Sequence, residues 1–179
     1  NNIYKIEKLI GKFVKNIFLV IDNEKILRLN IGIKRKNYNI SSSKDNIINS
    51  LTEVKDLFKE NYRNEKIMHM IVNKYLINNK IYSSYDDNLQ CDHLALEIQI
   101  ISISVKKIND LNKILENYQI NIIKYFDRTY LNNFFNNTNL DISEMAHKIN
   151  AGYNLNEVMV IPKNSKKPAF FEKFFQLFS

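Results

Sequence analysis

The sequence predicts an α+β fold: a small mixed sheet with helices packed on it, followed by a flexible segment and a C-terminal amphipathic helix. Two observations predict the sheet and helices, because runs of alternating apolar and polar residues occur between segments whose apolar residues recur at helical spacing. The third observation is a cluster of large apolar residues near the end of the sequence. We therefore expect an interaction domain over residues 1–135, a linker or irregular region over 136–167, and an amphipathic helix over 168–179.

The predicted domain begins with a helix and two strands. Over residues 3–15, apolar residues recur at helical spacing with lysines between them, which predicts an amphipathic helix. The continuous apolar run at 17–21 indicates a buried strand, and the alternating run at 27–33 indicates a half-buried strand. Because an Asp-Asn pair supplies turn chemistry between the two runs, we expect residues 17–35 to form a hairpin.

The middle of the chain is predicted to hold one helix and three extended segments. Serines precede a run at helical spacing, which indicates a helix over about residues 44–60. Extended segments are predicted at 66–72 and 74–82, and a polar loop at 83–92 follows them. The segment 93–104 is predicted to be a long strand, because Leu94, Leu96, Ile98 and Ile100 fall on one face while Ala95, Glu97 and Gln99 fall on the other.

Shorter elements complete the predicted domain. A helix is expected after Ser104, whose hydroxyl can cap it, and a short strand is expected at 120–126. Residues 130–135 have a helical pattern, and a polar break follows at 136–139. Since the periodicity over 140–162 is weak, we predict no regular element there.

The composition limits the class of protein without identifying it. Hydrophobic residues make up 45% of the 179 residues, which is enough for a core, and the formal net charge is +7. We attribute part of this charge to a bias toward AT-rich codons, and the rest favours an anionic partner such as phospholipid headgroups, nucleic acid or acidic peptides. The single cysteine and the lack of an apolar run of about 18 residues predict a cytoplasmic protein without a spanning helix.

No group of residues in the sequence predicts an active site. Cys91 and His93 are two positions apart, which places both side chains on one side of an extended segment, but no glycine-containing elbow accompanies them. The better interpretation is a loop cysteine beside a histidine at the end of a strand. We therefore expect no catalytic residue and no enzyme activity.

Metals and cofactors are not predicted either. His69 stands in a predicted strand and is best interpreted as a histidine satisfied at the sheet surface, while His147 has no evident partner. The acidic loop at 86–92 lacks the glycine and the final glutamate of a calcium site. The three glycines of the chain are isolated from one another, which disfavours a phosphate-binding loop.

A basic strand end supports an alternative function. Lys34, Arg35 and Lys36 stand beside the aromatic residue Tyr38, a combination that can bind nucleic acid. Basic strand ends are more often simply solvated, and no signature of single-strand binding accompanies this one. We therefore favour a membrane surface and protein partners over nucleic acid.

The apolar tail, residues 168–179, is predicted to form an amphipathic helix. At about 100° per residue, its apolar side chains span roughly 160° of the helix surface and polar residues fill the rest. Pro168 suits the first turn of a helix, and a lysine-containing polar stretch precedes it. The residues predicted to bind a membrane are Phe170, Phe171, Phe174, Phe175, Leu177, Phe178, Lys166, Lys167 and Lys173.

The length of the apolar tail restricts the way it can bind. At about 1.5 Å per residue, a helix of this length covers roughly half of the hydrocarbon thickness of a bilayer, so it can lie in the interface but cannot cross. The alternative is that it docks on its own domain as part of the core. The basic flank and the polar spacer favour an anionic membrane surface.

Five stretches of the sequence have a characteristic order and spacing: Asn64–Ile71, Lys74–Ile77, Leu94–Ile101, Ile108–Asn117 and Ile120–Tyr125. They resemble a strand pair, the strand that follows it, and the next helix and strand of bacterial FtsA. FtsA is the actin-like cell-division protein that links the FtsZ ring to the inner membrane. The resemblance covers about residues 3–135 and corresponds to the small domain inserted in the actin-like fold, while the apolar tail resembles the amphipathic membrane helix of FtsA.

The sequence also departs from the FtsA pattern. The glycine-rich phosphate loops, the ATP-binding halves and the lobe that binds FtsZ have no counterpart here, and the proline of the family is replaced at Val72 or Asn73. The resemblance therefore implies neither ATP binding nor direct FtsZ binding. It implies contacts between subunits and with later division proteins.

Together these observations predict a truncated FtsA-like adaptor of the divisome. We expect it to be peripheral on the cytoplasmic face of the inner membrane, to bind division proteins, and to use no cofactor. Two alternatives remain open on the sequence: a basic nucleic-acid-binding module, and a decayed FtsA remnant without activity.

Overall fold

A computed structural model describes residues 2–23, 25–36, 43–85 and 92–158. Within these ranges the chain has both helices and strands, arranged in a four-stranded antiparallel sheet and a two-stranded parallel sheet. The predicted α+β class with mixed strand directions is therefore confirmed. The predicted helix over 168–179 lies outside the described residues.

The elements follow one another in an order close to the predicted one. They are α1 (Asn2–Ile10), β1 (Asn16–Ile21), β2 (Leu27–Lys36), α2 (Ser43–Asn61), β3 (Glu65–Ile77), β4 (Lys80–Tyr82), β5 (His93–Ser104), α3 (Val105–Glu116), β6 (Asn121–Asp127), α4 (Arg128–Phe134) and α5 (Ile142–Asn150). The first helix is shorter than predicted, because Gly11 adopts a left-handed φ of 65° that ends it.

The hairpin predicted over residues 17–35 is wrong. β1 pairs in parallel with β6, whereas β2 pairs antiparallel with β5, in a sheet with the strand order β2-β5-β3-β4. The two strands contribute to different cores: the continuous apolar run of β1 packs with β6, and the alternating residues of β2 face α2. The turn residues between the strands redirect the chain from one core to the other.

Helix α2 covers one face of the four-stranded sheet. Val54 and Phe58 are buried against the even-numbered apolar residues of β5, including Ile98 and Ile100. This confirms the strand at 93–104 and its apolar face up to Ile100, but Ile101 and Ile103 are buried on the opposite face, in the core that also holds β1 and β6. Burying such side chains stabilises the fold by about 1.5–3 kcal/mol each, so this layer is a main source of stability.

The extended segments predicted at 66–72 and 74–82 do form strands, but the boundary between the two strands was placed too early. β3 continues through Asn73, with a shift in its register against β5 between Val72 and Lys74. A turn at Asn78 and Asn79, both at positive φ, then leads into β4. Asparagine tolerates this conformation better than most residues, which is why the chain can reverse there.

The linker or irregular region predicted over 136–167 is wrong for its described part. Residues 142–150 form α5, which begins at a capping box made by Asp141 and Glu144. Met145 and Ile149 of this helix are buried against the β1–β6 side of the protein. Residues 136–158 therefore belong to the folded unit.

The chain after α5 returns to the sheet. The amide of Val158 donates to the carbonyl of Met70 at 2.7 Å, and the amide of Val72 donates to the carbonyl of Asn156 at 2.9 Å. Glu157 thus forms an isolated antiparallel bridge with Ile71 on the edge of β3. This pairing brings an acidic side chain into the interior of the protein.

Candidate functional site

The Glu157 cluster is the main group of buried ionisable side chains in the described part of the chain. We use this name for Glu157, His69, Tyr130, Lys124 and Asp127, which come from β3, β6, α4 and the segment after α5. The carboxylate of Glu157 is 4% exposed and accepts a hydrogen bond from the Tyr130 hydroxyl at 2.9 Å. The ammonium of Lys124 lies 3.7 Å from Oε1 of Glu157, the oxygen that Tyr130 does not contact.

His69 is fixed between two partners and is only 1% exposed. The backbone amide of Asp127 donates to its Nε2 at 3.0 Å, so Nε2 must carry a lone pair. The proton of the neutral ring is therefore on Nδ1, which lies 2.8 Å from Oε1 of Glu157 and donates to it. The expectation of a satisfied histidine is met, but its place at the sheet surface is wrong, because β6 and α4 cover this end of the sheet.

The cluster shifts the ionisation of its members. Burial alone would raise the pKa of Glu157, but the hydrogen bond from His69, the charge of Lys124 and the hydrogen bond from Tyr130 outweigh it, so the pKa lies below its ordinary value. Burial, together with the charge of Glu157, raises the pKa of Tyr130. Burial lowers the pKa of Lys124 despite the opposing effect of Glu157. Glu157 is thus held as an anion and Tyr130 as a neutral phenol.

Asp127 connects the cluster to two further elements. Its Oδ2 accepts from the Tyr130 amide at 3.2 Å, which caps α4, and from Arg28 of β2 at 2.6 Å. Its Oδ1 is buried and accepts no hydrogen bond from the described residues. Asp127 therefore joins the two sheets at the point where β6 ends.

The arrangement suits a structural role better than a catalytic one. A general base or a nucleophile must reach a substrate, yet His69 and Glu157 are both shielded and already bonded to each other. Among the described residues, no group of three or more His, Cys, Asp or Glu side chains could hold a metal ion. The cluster fastens the segment after α5 to β3 and β6.

The three basic residues at the end of β2 lie on two different faces of the sheet. Arg35 forms an ion pair with Glu53 of α2, and its Nε lies 3.4 Å from the hydroxyl of Ser50. Lys34 and Lys36 are exposed and belong to the opposite face, because neighbouring residues of a strand alternate. The three charges do not form one basic surface.

Other residues singled out in the sequence are separated or undescribed. His93 is exposed at the start of β5, and His147 is exposed on α5. Cys91, Tyr38 and the nine residues predicted to bind a membrane lie outside the described ranges. Within those ranges, no helix has the length and apolar character needed to cross a bilayer.

The Glu157 cluster was not predicted from the sequence. Its members are up to 88 positions apart, and a lone acidic residue in a weakly patterned segment gives no sign of burial. Two local signals show that the chain there is folded: the capping box at Asp141, and the helical spacing of the apolar residues from Ile142 to Ile149.

Comparisons with known proteins do not identify a family. No protein-family model matches this sequence, and no curated protein matches it. The resemblance to FtsA therefore rests on residue patterns alone.

Proposed function

We propose that this chain is a membrane-tethered adaptor of the cell-division machinery. In this proposal the α+β domain binds protein partners, and the apolar tail holds it at the cytoplasmic face of the inner membrane. The observation that carries the proposal is the segregation of apolar and polar residues over 168–179 in the sequence. The FtsA resemblance supplies the connection to division.

The energetics of the apolar tail favour weak, reversible binding. Each phenylalanine that becomes fully buried contributes up to about 1.5–3 kcal/mol, and each nearby lysine adds about 1 kcal/mol at an anionic surface. Partial burial and the cost of ordering the helix reduce the total. Tight attachment then requires several copies on one surface, which is what an adaptor of a polymeric machine provides.

The organisation of the domain supports binding rather than chemistry. The segments Leu94–Ile101, Ile108–Asn117 and Ile120–Tyr125 fall on β5, α3 and β6, in the order on which the FtsA resemblance is based, whereas the expected strand pair falls on one strand, β3. The buried ionisable groups bond to one another and are shielded from substrates. A compact domain of this kind can present surfaces to other proteins while the apolar tail supplies attachment.

Liposome flotation of the full chain tests the attachment. Phe174→Glu/Phe175→Glu places two charges in the apolar arc and should abolish flotation with vesicles that contain phosphatidylglycerol. The matched control, Gln176→Glu/Ser179→Glu, adds the same charge on the polar face and should retain most of the binding. Equal flotation of wild type and the Phe174/Phe175 variant would refute the tether.

The division role needs a test in cells. A fluorescent fusion expressed in a dividing bacterium should concentrate at the division site and lose this pattern when the apolar arc is charged. A uniform distribution along the envelope would retain the tether but refute the division role.

A further inference from the structure

Helix α1 carries apolar side chains that the described part of the protein leaves uncovered. Leu9 is 86% exposed and Phe13, just beyond the helix, is 81% exposed. Ile6 and Ile10 are about half exposed, and the helix contains no buried residue. Amphipathic helices normally bury their apolar side against a core, so the apolar side of α1 needs another partner.

The apolar residues of α1 lie on one side. At about 100° per residue, Ile6, Leu9 and Ile10 fall within an arc of roughly 100°. Gly11 then ends the helix at a φ of 65°, and Phe13 follows in the exposed connection to β1. This gives a short apolar strip at one end of the folded unit.

The charges around the strip are almost all positive. Lys5, Lys8, Lys12 and Lys15 are exposed. The single acidic residue between Asn2 and Lys15 is Glu7, which is half-buried and accepts a hydrogen bond from the amide of Val14 at 2.9 Å. Four lysines and one glutamate give this stretch a net charge of +3.

We infer that α1 is a second membrane-contacting element, which lies on an anionic lipid surface with Ile6, Leu9, Ile10 and Phe13 toward the acyl chains. An apolar strip bordered by lysines is the pattern of interfacial helices, since the lysines reach headgroup phosphates while the apolar side chains enter the lipid. The exposed apolar strip and the lysines belong to α1 and the residues just after it, and they do not involve the apolar tail.

Two contacts on one chain have a consequence that neither has alone. Once one element is on the lipid, the other meets the surface at a high effective concentration, which can strengthen binding by 10²–10⁴-fold. Each contact can then be weak while the pair holds the protein. Loss of α1 binding should therefore be visible even with an intact apolar tail.

The test is a vesicle-binding titration of the full chain with four proteins in a crossed design. These are wild type, Leu9→Glu/Phe13→Glu in α1, Phe174→Glu/Phe175→Glu in the tail, and the combination. On vesicles that contain phosphatidylglycerol, the α1 variant should bind about tenfold or more weakly than wild type. Phosphatidylcholine vesicles should bind wild type more weakly than the anionic ones.

Ile114→Glu/Ile123→Glu is the matched control, because these residues of α3 and β6 are 60% and 61% exposed and gain the same charge. If the α1 variant binds as this control does, the inference is overturned, even where the tail variant loses binding and the proposed tether stands. If the tail variant binds like wild type and the α1 variant does not, the tether fails and the α1 contact stands.

Circular dichroism and sedimentation complete the test. Equal spectra for the α1 variant and the control show that lost binding is not lost folding. If the α1 variant converts a dimer to a monomer and leaves vesicle binding unchanged, a second copy of the chain covers the strip and the inference is wrong. Equal binding to neutral and anionic vesicles would also overturn the role of the lysines.

Discussion

Replacing Glu157 with glutamine tests whether the Glu157 cluster stabilises the fold. The substitution keeps the size of the side chain but removes its charge and turns one oxygen into a donor. Glu157 now accepts from His69 on one oxygen and from Tyr130 on the other. A glutamine can accept from only one of these donors, so the other must face an NH₂ group.

The magnitude follows from the contacts that are lost. A hydrogen bond to a charged group contributes about 1.5–3 kcal/mol, and one such bond is lost outright. Lys124, whose side chain is largely buried, also loses its carboxylate partner. We expect Glu157→Gln to lower the free energy of unfolding by about 2–4 kcal/mol, a large part of the stability of a small domain.

Urea denaturation followed by circular dichroism measures this loss. Glu97→Gln is the control, because Glu97 forms an exposed ion pair with Lys74 whose removal should cost less than about 1 kcal/mol. A Glu157→Gln protein whose stability lies within about 0.5 kcal/mol of wild type contradicts the assigned hydrogen-bond network.

The pH dependence gives a second readout on the same pair of proteins. Because the pKa of Glu157 is lowered in the folded state, its contribution is fully present above the ordinary value of 4.5 and is lost as the pH falls through the folded-state pKa. The stability difference between wild type and Glu157→Gln should therefore be largest near neutral pH and shrink in acid. A difference that grows below pH 4.5 would contradict the direction of the shift.

Two further predictions concern the core and the basic strand end. Phe58→Ala should destabilise the protein by about 3–5 kcal/mol in the same urea assay, whereas Leu57→Ala, at a half-exposed position on the same helix, should cost much less; similar losses would mean that α2 packs differently. In a fluorescence-anisotropy titration with single-stranded DNA, Lys34→Gln/Lys36→Gln should behave nearly as wild type does, because Arg35 is engaged by α2 and the three charges do not act together. A steep, salt-dependent loss of affinity would instead favour the nucleic-acid function.

Local patterns predicted the parts of the fold that local physics determines. The strand at 93–104 was predicted because alternating side chains must separate when one face is buried, and residues 94–100 of β5 do so against α2. The helix over 44–60 was found at 43–61 for the same kind of reason, since its apolar stripe matches the sheet. Each of these elements contains the whole signal within its own residues.

Strand partners depend on contacts that no local pattern contains. The run at 17–21 was correctly expected to be a strand, but it pairs with β6, which lies about a hundred positions later in the sequence. The nearest alternating strand was the wrong partner because it belongs to the other core. Turn residues show that the chain changes direction and leave open where it goes.

For the candidate sites too, the sequence predicted local structure but not long-range contacts. Spacing predicted that the start of the chain is an amphipathic helix, but it could not show that the apolar side of α1 stays uncovered. His69 and Glu157 looked unremarkable because their pairing joins the middle of the chain to the segment after α5. In both cases the sequence pattern lacks the long-range contacts, which decide whether the apolar side of α1 is covered and which side chain pairs with Glu157.

The Glu157 cluster also bears on the proposed tether, because it sets the point at which the chain leaves the described fold. With Glu157 held against β3, nine residues (159–167) separate Val158 from the apolar tail. Nine residues span at most about 30 Å, which limits how far a bound tail can sit from the domain. A short tether keeps the effective concentration of α1 at the surface high, and a longer one lowers it. If both proposed contacts exist, opening the cluster with Glu157→Gln should therefore weaken vesicle binding, although the substitution lies in neither proposed contact.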